Sequence, residues 1–251
     1  MSRLSVIGSC SWAVPTWTAT APASRKARTS AGVVIPPQPI TDYDQRDAVA
    51  RFARAYAAAA HSEEALDHVA GLLDGSQSHD GLTVDTDLRW LLLTALAREG
   101  RADEARIAEE LERDNTISGQ ESAATARTVR PEAEAKATAW QLAVESTDTP
   151  NETQRSIALA FPVPGQGEVL APYLEKYLTA AETVWERLGT QRASMVLEYM
   201  FPMPLASEGT VRRVDAWLES TEANPAAQRY VREGRADMVR ALAAQARDAA
   251  R

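Results

Sequence analysis

Apolar residues recur at helical spacing through the last 210 residues of this 251-residue chain. In one segment, Leu88, Leu92 and Leu96 follow at intervals of four, and Leu91 and Ala95 fill the same face. A period of three to four residues places side chains on one stripe of an α-helix, whereas a half-buried strand alternates with a period of two. No alternating segment occurs in the sequence. The chain is therefore predicted to be all-α.

Similar stripes predict a buried face for most of the other helices. Examples are Ala48, Phe52, Ala55, Tyr56 and Ala59; Ala133, Ala137, Trp140 and Val144; and Tyr173, Tyr177, Ala181 and Trp185. About ten helices are predicted, over 43–60, 62–73, 86–99, 102–113, 117–129, 131–146, 150–161, 171–188, 191–201, 208–220 and 225–248. Short connections predict antiparallel neighbours, arranged either as a solenoid of stacked helix pairs or as an irregular helical array.

Several helix ends carry capping signals. The run 149–152, Thr-Pro-Asn-Glu, combines an N-cap residue, proline at the first helical position and a capping-box glutamate. Asn224 before Pro225 repeats the first two features, and Asp85 or Thr86 can cap the helix of Leu88. Gly100 stands where a left-handed residue closes a helix.

Residues 1–41 differ from the rest of the chain. They are rich in Ser, Thr, Ala and Pro, lack helical or strand periodicity, and hold the only cysteine, Cys10, with Trp12 and Trp17. The segment is predicted to be a disordered leader before a helical domain at 42–251. With one cysteine no intrachain disulfide can form, which suits a cytoplasmic protein.

Charge and hydropathy exclude two classes of partner. The leader has four basic residues and no acidic one, which leaves 23 basic and 35 acidic residues in 42–251, a net charge of −12. An acidic body repels phosphate backbones, so nucleic-acid binding is not expected. No run of about 18 apolar residues is present, so no membrane span is expected.

The residues that usually carry chemistry are sparse or poorly spaced. His61 and His68, seven residues apart on or beside one helix, are separated by roughly 10 Å, too far to share one zinc ion, and His79 lies in a polar loop. No serine lies in a G-x-S-x-G elbow. The loop 162–167 has two glycines, but its prolines indicate a helix breaker rather than a phosphate site.

Acidic and aromatic groups have structural explanations. Glu109, Glu110, Glu112 and Asp114 form a dense acidic run that is typical of a solvated helix face, and Asp85 with Asp87 flank a helix start. The tryptophans of the helical region lie on or beside apolar stripes and are predicted to pack in the core, with an aromatic ligand groove as the alternative; they are Trp90, Trp140, Trp185 and Trp217. No catalytic, cofactor-binding or metal-binding residue is predicted, and no cofactor.

Several segments together resemble the C-terminal helical domain of zinc aminopeptidases of the aminopeptidase N family, especially actinobacterial members. They read SEEAL at 62–66 leading to GLLDG at 71–75, GLTVDTDLRW at 81–90, GRADEARI at 100–107, RPEAEAKATAW at 130–140, LAPYLEKY at 170–177 and EGR at 233–235. The likeness covers roughly residues 42–251. The family's zinc motif, H-E-x-x-H, and its G-x-M-E-N-type motif are not present in this sequence.

The resemblance implies a fold and a supporting function. The fold is a right-handed α-superhelix of antiparallel helix pairs (HEAT/armadillo-like), and the family role is to cover the active-site cleft and shape the peptide cavity. The chain is thus expected to be a non-catalytic fragment or split half that binds an aminopeptidase catalytic fragment, or self-associates through the helices around Ala48–Ala59 and Leu66–Leu73. The alternative is an independent helical-repeat scaffold that binds a peptide or protein on its concave face.

Overall fold

The computed structural model describes residues 42–250, with side chains from Asp47 onward, and the predicted leader at 1–41 lies outside this range. The helices are α1 (Asp42–Ala59), α2 (Glu63–Asp74), α3 (Thr86–Arg98), α4 (Glu104–Arg113), α5 (Ile117–Thr128), α6 (Ala133–Trp140), α7 (Asn151–Ala160), α8 (Gly167–Leu170), α9 (Tyr173–Tyr199), α10 (Glu208–Ser220) and α11 (Pro225–Ala249). A π-helical turn, Gln141–Glu145, extends α6, and a 3₁₀ turn, Met203–Leu205, precedes α10.

The described residues contain no strand, so the prediction of an all-α chain with about ten helices is confirmed. The single turn α8 and the π-helical turn were not predicted. The predicted break between 188 and 191 corresponds to Gly189 within α9, whose φ of 74° interrupts the helical geometry. Such a positive φ favours glycine because a Cβ would collide with the backbone.

The helices pack as a continuous layer with further helices against it. In the layer, α1 packs on α3, α3 on α5, α5 on α7, α7 on α9 and α9 on α11. Helices α2, α4 and α10 pack against α3, α5 and α11 respectively. The predicted stack of antiparallel helix pairs and its right-handed superhelical coiling stay predictions.

The predicted buried stripe of α1 is wrong. Phe52 is 71% exposed, and Ala53, Ala57 and Ala60 are the buried residues. Alanine is so abundant in α1 that both of its faces look apolar, and the face without large side chains packs on α3. The stripe of α3 is confirmed, because Leu88, Leu92 and Leu96 are all buried, while Leu91 is half-buried.

Capping follows the predictions at two helices and departs from them at one. Asp85 accepts a hydrogen bond from Leu88 N, and Asn224 accepts one from Ala226 N. Thr149 does not cap α7, because its hydroxyl donates to the carbonyl of Leu142 at 2.7 Å and the extended Pro150 takes the N-cap position. The Thr149 hydroxyl therefore joins the segment before α7 to the preceding π-helical turn.

The carbonyl ends of α1, α3, α5 and α7 lie side by side and are joined by three long side chains. Arg98 donates to Ala58 O and Ala60 O at the end of α1. Gln166 donates to the carbonyls of Arg98 and Val129, at the ends of α3 and α5. Lys136 donates to the carbonyls of Thr128 and Phe161, at the ends of α5 and α7. We call this region the C-terminal edge. Its donors satisfy carbonyls that have no partner within their own helices.

Replacement of Gly119 by alanine is expected to reduce the free energy of unfolding by about 1–3 kcal/mol through overpacking. A Cβ there would lie 1.9 Å from Asp114 O, and this backbone cannot retreat freely because the Asp114 carboxylate accepts from Trp90 Nε1 at 2.8 Å. Gly209→Ala, in a roomy position of α10, is the matched control and should be neutral or stabilising. Urea denaturation of both variants measures the difference, and equal effects would contradict the packing argument.

Candidate interaction surface

An exposed cluster of aromatic and imidazole rings covers the outer side of α1 and α2. We call it the aromatic patch and define it as Phe52, Tyr56, His68 and His79. The ring centroids of Phe52 and Tyr56 are 6.4 Å apart, and those of Tyr56 and His68 are 5.5 Å apart in an edge-on arrangement. Phe52 is the more exposed of the two α1 rings, and Tyr56 and His68 are half-buried. The patch is therefore continuous and accessible.

The patch arises from the way α1 and α2 are packed. Phe52 and Tyr56 are four residues apart, so they lie on one face of α1, beside the face whose small alanines contact the core. Helix α2 turns its leucines inward and leaves His68 beside Tyr56. Large rings on an exposed helix face leave apolar area in contact with water. This is typical of a surface that binds another protein.

His79 joins the patch because the loop after α2 folds back. Gly75 closes α2 in the left-handed conformation, with φ 82°, and Gln77 N donates to Gly71 O at 2.9 Å. The loop then brings the Nε2 atoms of His68 and His79 within 2.8 Å of each other. The spacing of the histidines in the sequence carries no signal for this contact, since it depends on the path of the loop.

His61 lies apart from this pair, at a cleft on the C-terminal edge. Its Nδ1 is 2.8 Å from Glu99 Oε1, which also accepts from Arg98 Nε. The cleft encloses about 400 Å³ and is lined by His61, Arg98, Glu99, Pro131, Pro164, Gly165 and Gln166. Gln166 lines this cleft, and its buried amide oxygen has no hydrogen-bond partner among the described residues. The loop predicted only to break a helix thus forms one wall of a cleft.

The acidic run of α4 is not a uniformly solvated face. Glu110 is buried, with 5% exposure, and accepts from Arg89 Nε and Nη2 at 2.6 Å each. This hydrogen-bonded contact raises the pKa of the Arg89 guanidinium, against the opposing effect of burial. Asp114 is engaged by Trp90, as described above. These two carboxylates therefore join α3 to α4 and to the start of α5.

Comparisons with known proteins identify the family. The model of a family described as "ERAP1-like C-terminal domain" matches residues 23–240. The chain belongs to this family. Over 199 residues it is 45% identical to Aminopeptidase N from Streptomyces lividans, a match that covers 79% of this chain and 23% of that protein. The chain thus spans less than a quarter of the length of this curated relative.

These findings confirm the resemblance inferred from the sequence. The family match of this ERAP1-like C-terminal domain begins before residue 42, where the sequence predicts the end of the leader; that boundary stays a prediction. Within residues 42–250 no helix combines the length and the apolar character that a membrane crossing requires. In the same range no three or more His, Cys, Asp or Glu side chains converge as a metal site.

The tryptophans of this ERAP1-like domain lie mostly in its core. Trp90, Trp140 and Trp217 are 4–5% exposed, and Trp185 is half-buried against Tyr230. Core packing, rather than an aromatic ligand groove, therefore accounts for the three buried indoles. The sequence reasoning did not identify the aromatic patch as one surface.

Proposed function

We propose that this chain acts as the non-catalytic C-terminal helical domain of an aminopeptidase N-type zinc metallopeptidase. Zinc binding and peptide-bond hydrolysis belong, in this proposal, to the rest of the enzyme. The helical domain covers the active-site cleft and shapes the peptide cavity, and the enzyme works in the cytoplasm. The 45% identity with the Streptomyces Aminopeptidase N over 199 residues carries the proposal.

The aromatic patch supports binding of this domain to the catalytic part. Phe52 is 71% exposed and stacks near Tyr56, so the two rings offer a connected apolar surface with a phenolic hydroxyl at its border. Aromatic side chains dominate the binding energy of many interfaces because they bury large area with little loss of conformational entropy. We therefore assign the patch to the contact with the catalytic part.

Phe52→Asp or Tyr56→Asp is expected to raise the dissociation constant of this contact about tenfold or more, equivalent to about 1.4 kcal/mol. Burial of a new carboxylate and loss of a ring act in the same direction. The measurement is analytical ultracentrifugation of the chain with the Streptomyces Aminopeptidase N from which the matching region has been removed. Peptidase activity on peptides of different lengths reports whether the domain shapes the cavity.

Ile117→Asp is the matched control for this experiment. Ile117 is 78% exposed and lies at the start of α5, so the substitution removes an exposed apolar side chain outside the patch. It should leave the dissociation constant unchanged. Equal weakening by all three variants would contradict the assignment of the patch.

The second candidate function is an independent scaffold that binds a peptide or protein. The cleft on the C-terminal edge, with its buried unpartnered Gln166 oxygen, is the observation in its favour. This function would be favoured if the chain stays monomeric over a hundredfold concentration range and does not bind the catalytic part. Concentration-dependent oligomers that Phe52→Asp dissolves would instead assign the patch to self-association.

A further inference from the structure

Two histidines of the aromatic patch present the same ring nitrogen to each other. The Nε2 atoms of His68 and His79 are 2.8 Å apart, and the ring centroids are 4.9 Å apart. In the absence of a third group, the N–H of one ring donates a hydrogen bond to the bare nitrogen of the other. Both rings reach the surface, since His68 is half-buried and His79 is exposed. An ion from solution can therefore reach both nitrogens.

Both rings are positioned by the fold before anything binds. His68 is held on α2 and packs edge-on against Tyr56. The loop that carries His79 is tied at three points: Ser76 N donates to Asp74 Oδ1, Gln77 N to Gly71 O, and Leu82 N to His79 O. Ordered ligands lose little conformational entropy on binding, which favours a site built from few side chains.

The separation of the two nitrogens is close to that of two ligands on one metal ion. With metal–nitrogen distances of about 2.0–2.1 Å, two imidazole nitrogens lie about 2.9 Å apart at a right angle and about 3.3 Å apart at the tetrahedral angle. The observed 2.8 Å therefore has to widen by about half an ångström or less to admit an ion. This change requires the exposed His79 ring to rotate so that both Nε2 lone pairs face the ion.

The charge around the pair also favours a cation. Glu64 precedes His68 by four residues and lies on the same face of α2. Neutral imidazole is a preferred ligand of zinc, copper and nickel, whereas magnesium and calcium require oxygen ligands.

We propose that His68 and His79 form a binding site for a divalent late transition-metal ion on the surface of this domain. Their Nε2 atoms supply two ligands and water fills the remaining positions. Since no third His, Cys, Asp or Glu joins them among residues 42–250, the ion keeps exchangeable positions. The site is separate from the zinc centre assigned above to the rest of the enzyme. It lies in the patch assigned above to the contact with the catalytic part, so it is tested in the isolated chain, where the patch is open to solution.

Zinc chloride alone, titrated into the 251-residue chain at neutral pH, tests this site. A Cys10→Ser background removes the only thiol, and the three histidines give a simple set of imidazole signals in the ¹H–¹³C spectrum. We expect zinc to shift or broaden the ring signals of His68 and His79 while those of His61 stay in place. Calorimetry gives the affinity of the same sample.

The variants His68→Gln and His79→Gln should each weaken zinc binding at least tenfold, and His61→Gln should change it less than twofold. His79→Gln alters an exposed loop side chain, so it tests the site even if substitution on α2 disturbs folding. The proposal is overturned if binding survives both substitutions, if His61→Gln weakens it equally, or if zinc leaves the signals of His68 and His79 unchanged.

Discussion

Trp140→Ala is expected to reduce the free energy of unfolding by about 3–5 kcal/mol, the cost typical of removing a buried aromatic side chain. Trp140 is 4% exposed and packs against Phe161 and Tyr173, with centroid distances of 6.0 and 5.3 Å. Phe161 and Tyr173 also pack edge-on against each other at 4.9 Å. Loss of the indole therefore opens a cavity where α6, α7 and α9 meet.

Trp185→Ala provides the matched control for this prediction. Trp185 is half-buried on α9 and its ring lies 6.4 Å from that of Tyr230, so water can fill much of the space that the indole leaves. Its loss of stability should be clearly smaller. Urea denaturation followed by circular dichroism measures both variants. An equal loss of unfolding free energy in the two variants would contradict the prediction that the buried packing of Trp140 contributes more stability than the half-buried Trp185.

Lys136→Met is expected to change how stability depends on pH. Lys136 is fully buried, and burial lowers the pKa of its ammonium group to about 8, although the Glu132 carboxylate acts in the opposite direction. The unfolded chain holds this proton up to the ordinary value of 10.5. Below pH 8 both states are protonated, and the folded protein carries the full cost of a buried charge.

Between these two values the unfolded chain binds more protons than the folded protein, so the contribution of Lys136 to stability rises with pH. The shift corresponds to about 3 kcal/mol. The free energy of unfolding of the wild type relative to Lys136→Met should therefore increase by about this amount from pH 8 to above pH 10.5. Taking the difference removes the titrations that both proteins share.

Lys176→Met controls for the loss of one positive charge, because Lys176 is exposed and lies over the ring of Tyr173. Urea denaturation at a series of pH values measures all three proteins. A flat difference between the wild type and Lys136→Met would show that the ammonium group is well solvated. The same experiment reports on the C-terminal edge, since Lys136 joins the ends of α5 and α7 through the carbonyls of Thr128 and Phe161.

Lys136 also shows where reasoning from sequence pattern failed. The stripe through Ala133, Ala137 and Trp140 predicted an apolar inner face of α6, but Ala133 and Ala137 are exposed and Lys136 is buried. Lysine is rarely buried without partners, so a lysine on a helix is normally predicted to face solvent. Here the carbonyl ends of two other helices supply the partners, and no local pattern can encode them.

The candidate site was predictable only in part. The sequence predicts a binding surface at the helices around Ala48–Ala59 and Leu66–Leu73. It also predicts that Phe52 and Tyr56 lie in a buried stripe of α1, and that part is wrong. The face of α1 that turns inward depends on how closely its alanines approach α3. The His68–His79 contact depends on a loop whose course is determined by Gly75 and by the backbone hydrogen bond to Gly71.

The amino-acid sequence predicts the helical class, the positions of most helices and the caps at Asp85 and Asn224. These properties follow from side-chain periodicity and from hydrogen bonds between residues close in the chain, which are local. The packing of the helices was needed to show which face of α1 is buried, that Glu110 and Lys136 lie inside, and that two histidines converge. Each of these depends on groups brought from distant parts of the chain, whose partners are known only once the helices have packed.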